Sequence, residues 1–275
     1  MNLTPVVVNL HLGLEKPLRI LHLTDAHIAL ADDEDSDALK EKSAARRTVF
    51  FNEGKAPLRD PVGFLEEAME YAKSFDYTVI TGDVFDRISH GSVDKIRSVL
   101  ADKEYLFCLG NHEFSIVTGH APKEQRGEIL ELLKTVFRGN LFFESKVVGG
   151  VNLIATDNSG YYWTEEQYEL LKAEVAKGYP ILLFTHSPLE NGIRTLDPNH
   201  DGRTATIRRL ILEDGGTEQT LATTCKVTDY IANEPLIKAT FGGHFHGNMI
   251  KEFGNKNTYI LGGLFKGIVG EIHID

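Results

Sequence analysis

The chain has 275 residues, of which 42% are apolar and 25% are charged, and its formal net charge at pH 7 is −11. This composition is typical of a globular protein long enough to bury a substantial core, and we expect a single domain over residues 1–275. The negative charge disfavours long nucleic acid as the main ligand, because contacts with phosphates need clustered Lys and Arg.

The sequence also bears on the cellular setting. It contains no run of 18 apolar residues, which predicts that no segment spans a membrane. Residues 1–11 lack the basic region and long apolar core of a signal peptide. Two cysteines, Cys108 and Cys225, are too few for a disulfide framework. We therefore expect a cytoplasmic protein, and the sequence leaves its oligomeric state open.

In chain order, strand-like and helix-like patterns alternate over the first two thirds of the sequence. Strands are predicted at residues 6–10, 18–24, 77–81, 106–109, 180–185 and 237–241, with shorter strands between 140 and 156. Helices are predicted from Pro61, over 92–100 and 125–137, from Thr164, and over 227–233. Residues 249–274 predict a closing set of antiparallel strands. The alternation indicates an α/β protein.

Two segments, 30–60 and 188–222, show no clear period. The first contains an acidic run followed by basic residues, which favours a solvated loop with a short helix. The alternative is a mobile lid, since long loops beside active sites often serve that purpose. Substrate specificity would be encoded in residues 28–60 and 188–222.

Metal-binding residue types collect at the ends of the predicted strands. Five of the eleven histidines directly follow a strand, namely His27, His112, His186, His244 and His246. One isolated histidine is most often a core residue, and we interpret His22, inside a strand, in that way. The set does not fit that interpretation, because core histidines have no reason to collect at strand ends, where α/β sheets place their chemistry.

The ligand types narrow the class of metal. A zinc finger is excluded because the sequence has no cysteine pair. Imidazole mixed with Asp and Asn favours Mn, Fe or Zn over Ca. An Asp that can bridge two metal ions, together with this many further ligands, suggests a two-metal site. The two ions of such a site lie roughly 3.5–4 Å apart, and they clamp the attacking and the leaving oxygen of an in-line displacement.

Five blocks in fixed order resemble the calcineurin-like metallophosphoesterase family. They are Asp25-Ala26-His27, Gly82-Asp83 with Asp86-Arg87, Gly110-Asn111-His112-Glu113, His186, and Gly243-His244-Phe245-His246. The resemblance extends over residues 25–246. It implies a four-layer α-β-β-α sandwich in which two mixed β-sheets pack face to face between helices, with two transition-metal ions at the carboxyl edges of the sheets.

The resemblance also implies a role for each residue. Asp25, His27 and His246 would bind the first metal, Asp83 would bridge, and Asn111, His186 and His244 would bind the second. His112 would act on the leaving group as a general acid or electrostatic stabiliser, and Asp86 would orient it. Arg87 matches a phosphate-contacting position of the protein phosphatases. However, those enzymes continue with Gly where this chain has Ile88, and a second phosphate-binding Arg has no evident match.

The implied reaction is hydrolysis of a phosphomonoester or phosphodiester on a small substrate, by in-line attack of a metal-bridging hydroxide. Two alternatives remain open. One is a nuclease of the same superfamily, which the net charge of −11 disfavours. The other is a non-catalytic, metal-bound interaction scaffold, since a fold alone never proves a function.

An aromatic cluster, Tyr161-Tyr162-Trp163, follows a polar stretch after a predicted strand. Such a cluster either lines a pocket or covers the edge of a sheet. The sequence does not choose between these two interpretations.

Overall fold

The computed structural model of the protein describes residues 2–52, 60–189, 202–213 and 216–275. Residues 53–59, 190–201 and 214–215 lie outside the described residues, and so do the parts of the sequence predictions that fall on them. Within the described ranges, no helix combines the length and the apolar character needed to cross a membrane.

The described residues form thirteen strands and seven helices. The strands are β1 (Thr4–Leu10), β2 (Leu18–Leu23), β3 (Tyr77–Ile80), β4 (Leu106–Phe107), β5 (Ser115–Ile116), β6 (Gly119–His120), β7 (Phe143–Val148), β8 (Val151–Thr156), β9 (Ile181–Phe184), β10 (Ile237–Gly242), β11 (Met249–Phe253), β12 (Lys256–Ile260) and β13 (Ile268–Ile274). The helices are α1 (Asp37–Asn52), α2 (Pro61–Tyr71), α3 (His90–Leu100), α4 (Lys123–Leu133), α5 (Glu165–Val175), α6 (Gly202–Glu213) and α7 (Glu218–Asn233).

Two mixed sheets carry the fold. The first sheet has the order β1-β13-β2-β3-β4, and the second has the order β11-β12-β10-β9-β8-β7. In the first, β2, β3 and β4 are parallel neighbours. In the second, β8, β9 and β10 are parallel neighbours. Parallel neighbours bring their carboxyl ends to the same edge of a sheet. The predicted ligands come directly after these strand ends and therefore lie at that edge.

Apolar side chains hold the layers together. Leu106 from the first sheet packs with Phe184 and Phe241 from the second in one buried cluster between the sheets. Leu65 of α2 and other helix residues cover the outer face of the first sheet, and Ile231 of α7 does the same for the second sheet. The α-β-β-α sandwich implied by the resemblance is therefore confirmed.

Local signals placed two helix starts correctly, those of α2 and α5. The Asp60 side chain accepts a hydrogen bond from the amide of Val62, and Pro61 occupies the first turn of α2. Thr164 and Gln167 form a reciprocal capping box at the start of α5. These caps satisfy amide groups that would otherwise have no partner in the first helical turn.

Three expectations about the fold were wrong. The stretch 30–60 contains the 16-residue helix α1 rather than a loop with a short helix. The stretch 188–222 contains α6 and the beginning of α7. Of the closing strands, only β11 and β12 pair antiparallel with each other. Strand β13 crosses to the first sheet instead, where it is parallel to β1 and antiparallel to β2.

Candidate metal centre

Side chains from both sheets meet at the edge formed by the carboxyl ends of the parallel strands. Asp25 and His27 follow β2, Asp83 follows β3, and Asn111 and His112 follow β4. On the second sheet, His186 follows β9, while His244 and His246 follow β10. The structure thus brings together all seven predicted metal ligands.

The backbone of these strand ends is unusual. Six residues other than glycine have a positive φ in the described part of the chain, and five of them are predicted metal ligands, with φ between 48° and 66°. They are Asp25, His27, Asp83, His244 and His246. This left-handed conformation costs free energy, and it persists at functional sites where the surroundings impose it. The strain therefore marks the same site as the residue types do.

Two glycines allow the strand ends to approach each other. A Cβ atom on Gly110 would collide with the Asp83 carboxylate, and one on Gly243 would collide with the side chains of Thr24 and Asp25. Any other residue at either position would push a predicted ligand out of place.

The first cluster consists of Asp25, His27 and His246. His27 Nε2 lies 2.9 Å from His246 Nε2. Asp25 Oδ1 lies 3.2 Å from His246 Nε2 and 3.6 Å from His27 Nε2. This carboxylate oxygen is buried and makes no hydrogen bond with the described residues.

The second cluster consists of Asp83, His186 and His244. His186 Nε2 lies 3.2 Å from Asp83 Oδ2, 3.3 Å from His244 Nδ1 and 3.2 Å from Asn111 Oδ1. Asp83 Oδ2 also lies 3.8 Å from His27 Nε2 of the first cluster. The same carboxylate oxygen therefore faces both clusters, as expected for a bridging ligand.

These separations suit a metal ion. Two ligand atoms bound at about 2.0–2.3 Å to one tetrahedral or octahedral ion lie about 2.8–3.8 Å apart. The ligand atoms within each cluster lie at such distances from their neighbours, 2.9–3.6 Å in the first and 3.2–3.3 Å in the second. The donor set of imidazoles, carboxylates and one amide oxygen fits divalent transition metals.

The electrostatics of the site favour a cation at its centre. Burial would raise the pKa of Asp25, but His246 and His27 hold it well below its usual value. Burial would lower the pKa of His186, but Asp83 raises it to about 10. The surrounding carboxylates likewise overcome burial and raise the pKa of His27 to about 9. Buried carboxylates that draw protons onto neighbouring imidazoles would hold a metal ion in place of those protons.

Hydrogen bonds orient the ligand atoms. Asp25 Oδ2 accepts from the Thr24 hydroxyl (2.7 Å) and from the His244 amide (3.0 Å), which leaves Oδ1 for the first cluster. Asp83 Oδ1 accepts from the His112 amide (2.8 Å), which leaves Oδ2 facing both clusters. His186 Nδ1 lies 2.7 Å from the carbonyl oxygen of Thr81. Because a carbonyl can only accept, Nδ1 carries the proton and Nε2 is free to bind a metal.

Glu113 has a role that the sequence did not reveal. Its fully buried carboxylate accepts hydrogen bonds from the amides of Asp83, Val84 and Gly110, each at 2.7 Å, and from Phe85 at 3.3 Å. Burial and the neighbouring Asp83 raise its pKa to about 7. Glu113 thus ties the turn after β3 to the turn after β4, and the presence of an acidic residue in the third block was the only signal for it.

His112 lies beside the two clusters. Its Nδ1 donates to the backbone carbonyl oxygen of Asp86 (3.0 Å), whereas the Asp86 carboxylate is 3.6 Å away. Burial, together with the charge of His27, lowers the pKa of His112. That Asp86 orients His112 stays a prediction, and in the structure the backbone of Asp86 makes the hydrogen bond.

The guanidinium group of Arg87 points to another part of the chain. Its Nη1 donates to the carbonyl oxygen of Ile116 on β5 (2.5 Å). Its Nε is buried and has no hydrogen-bond partner among the described residues. The contact of Arg87 with a substrate phosphate stays a prediction.

The stretch 157–163 supports the second cluster. Asn158 accepts from the amide of Ser187 (3.0 Å) and donates to its carbonyl oxygen (2.7 Å), directly after His186. The Tyr161 hydroxyl lies 3.5 Å from His244 Nε2, on the side of the ring opposite to Nδ1. Trp163 is buried in the core of the second sheet. The aromatic cluster therefore divides, with Tyr161 beside the site and Trp163 covering the sheet.

Comparison with known proteins gives a family. The family model described as calcineurin-like phosphoesterase matches residues 18–248. That range spans every predicted metal ligand. No curated protein matches the chain.

Solved structures share the fold at low sequence identity. A dimetal phosphatase from Danio rerio superposes with a TM-score of 0.53 at 14% identity, covering 90% of this chain and 88% of that chain. A candidate 5′-nucleotidase from Staphylococcus aureus superposes with a TM-score of 0.50 at 14% identity, covering 94% of this chain. The present chain spans 51% of that nucleotidase. At such identities these likenesses show the fold alone.

Proposed function

Because the chain belongs to the calcineurin-like phosphoesterase family, we propose that it hydrolyses a phosphomonoester or phosphodiester at a two-metal site. The observation that carries this proposal is the position of Asp83 Oδ2, which lies 3.2 Å from His186 Nε2 and 3.8 Å from His27 Nε2. One carboxylate oxygen between two clusters of metal-binding type is the arrangement that two-metal hydrolysis requires.

The proposed metal ligands divide between the clusters. Asp25, His27 and His246 would hold one ion, His186, His244 and Asn111 would hold the other, and Asp83 would bridge them. When bound, two such ions supply a hydroxide at neutral pH and neutralise the charge of the phosphate. Manganese, iron and zinc all suit this ligand set, and availability selects among them.

The proposed role of His112 is to act at the leaving group. Its Nδ1–H is committed to the carbonyl oxygen of Asp86, so Nε2 is the atom available to the substrate. Burial lowers the pKa of the ring, and a phosphate anion beside Nε2 would raise it again. The protonated ring then gives its proton to the leaving oxygen as the phosphorus–oxygen bond breaks.

The substrate is proposed to be small. The net charge of −11 offers little attraction to long nucleic acid, which disfavours the nuclease alternative. The retention of all seven ligands together with His112 disfavours the scaffold alternative, because a scaffold has no need of a complete site. We also propose that residues 1–275 form one domain. We propose in addition that the protein is cytoplasmic, since both cysteines are free.

A hydrolysis screen tests the proposal. Metal-free protein would be reconstituted separately with Mn²⁺, Fe²⁺, Zn²⁺ and Co²⁺ and offered p-nitrophenyl phosphate and bis-p-nitrophenyl phosphate. Metal-dependent release of nitrophenol supports a phosphoesterase, and the preferred compound separates a monoesterase from a diesterase. Two bound metals without turnover of either compound, or of a panel of natural phosphate esters, would favour the scaffold.

A further inference from the structure

The Asp86 carboxylate, which is fully buried, forms an ion pair with helix α1. Arg46 Nε donates to Asp86 Oδ2 (2.9 Å) and Arg46 Nη2 donates to Asp86 Oδ1 (2.7 Å). The side chain of Arg46 is 29% exposed, whereas that of Asp86 is 0% exposed. Two parallel bonds of this kind fix the geometry of a carboxylate as well as neutralising it. Both oxygens of Asp86 are therefore engaged by Arg46.

Asp86 also faces a metal ligand. Its Oδ1 lies 3.4 Å from Nδ1 of His27, whose Nε2 belongs to the first cluster. Metal-binding histidines commonly donate their second ring N–H to a carboxylate, which fixes the tautomer and the direction of the ring. The contacts thus run in series from Arg46 through Asp86 to His27.

Arg46 also bears on whether Asp86 supports His27 or itself binds a cation. Ligand atoms of Asp86, His27 and His112 lie within 4.8 Å of one another, so these three residues form a further group of metal-binding type. A cation there would need His27 Nδ1, the ring nitrogen that faces Asp86. The guanidinium group occupies both carboxylate oxygens and repels a cation.

We propose that Arg46 is a positioning residue for the first cluster, which it supports by holding Asp86 against His27. The inference rests on the proposed two-metal function and extends the site to helix α1. Lysine would not replace it, because an ammonium group lacks the planar fork that binds both carboxylate oxygens. The stretch 30–60 therefore contributes to the metal centre through Arg46.

Calorimetric titration of Mn²⁺ into metal-free protein tests the proposal. Wild type should show two binding events, one for each cluster. In Arg46→Met, one event should weaken by up to about 10–100-fold, the range found when the outer partner of a ligand, here Asp86, is lost, while the other stays within twofold. Arg46→Lys should fall between wild type and Arg46→Met. The exposed neighbour Arg47 supplies a control, because Arg47→Met should match wild type.

A double-mutant cycle separates positioning from folding. If Arg46 acts through Asp86, then Arg46→Met added to Asp86→Asn should weaken Mn²⁺ binding by less than twofold beyond Asp86→Asn alone. Equal weakening of both binding events, accompanied by lower thermal stability, would overturn the inference in favour of simple helix docking. Unchanged binding in Arg46→Met would also overturn it. If wild type bound no Mn²⁺, the proposed function itself would fail, which is a different result.

Discussion

Replacing Asn158 with Ala should destabilise the fold and weaken one metal site selectively. The Asn158 side chain is 4% exposed, and it both accepts from and donates to the backbone of Ser187. Ala would leave the buried amide of Ser187 without a partner, whereas the Ser187 carbonyl oxygen would keep its hydrogen bond from the Thr185 hydroxyl (3.0 Å). Loss of the partner of one buried amide costs about 1–3 kcal/mol, so we expect the free energy of unfolding to fall by that amount.

Urea denaturation of metal-free protein measures this change. If the free energy of unfolding falls with urea concentration at the same slope as in wild type, the substitution has changed stability and not the surface exposed on unfolding. The exposed Asn257 on β12 offers a matched control, because Asn257→Ala should change stability by no more than about 0.5 kcal/mol. Since Ser187 follows His186, Mn²⁺ binding at the second cluster should weaken more than at the first. A loss below about 1 kcal/mol together with unchanged metal binding would refute the reasoning.

Three further changes have defined outcomes. Asp83→Asn should reduce hydrolysis of p-nitrophenyl phosphate to background and lower the metal content of reconstituted protein, because Asp83 faces both clusters. Glu113→Gln should weaken Mn²⁺ binding by about tenfold in calorimetry, because an amide NH₂ would face the amides of Asp83 and Gly110. Burial lowers the pKa of His22 from 6.5 to about 3, so the unfolded chain binds one more proton between these pH values and stability falls as the pH drops through them. The free energy of unfolding, measured by urea denaturation, should therefore depend on pH less steeply in His22→Gln than in wild type, by about 1.4 kcal/mol per pH unit below pH 6.5. The same dependence on pH in both proteins would count against a neutral buried ring.

The residues that meet in the two clusters could be picked out from the sequence because their signal is local. Each ligand lies within a few residues of an apolar strand, so His186 after β9 or His244 after β10 is visible without knowing how the strands pair. The core position of His22 was predictable for the same reason, and it is confirmed by its 2% exposure. The parallel order of the strands then brings the ends together.

Helix α1 was not predictable from hydrophobic periodicity. Its sequence, DALKEKSAARRTVFFN, has charged residues on several faces. The helix is held in part by the ion pair between Arg46 and Asp86, which is forty residues later in the chain. Helix α7 was recognised only from residue 227. Its first half is rich in threonine, which has a low helix propensity, and Thr223 and Thr224 are buried through hydrogen bonds rather than through apolar contacts.

The support of the site was hidden because it joins distant segments. Glu113 acts on amides near residue 83, Asn158 acts on Ser187, and Arg46 acts on Asp86. The pairing of β13 with β1 spans almost the whole chain. No local pattern encodes such contacts, whereas the positions of the predicted ligands at strand ends are encoded locally.

The central claim is that one chain holds two metal ions joined at Asp83. The most direct measurement is the metal content of the protein after reconstitution with Mn²⁺ and removal of free metal, determined by inductively coupled plasma mass spectrometry. We expect two ions per chain in wild type and fewer in Asp83→Asn. One ion or none in wild type, or two ions retained in Asp83→Asn, would contradict the account.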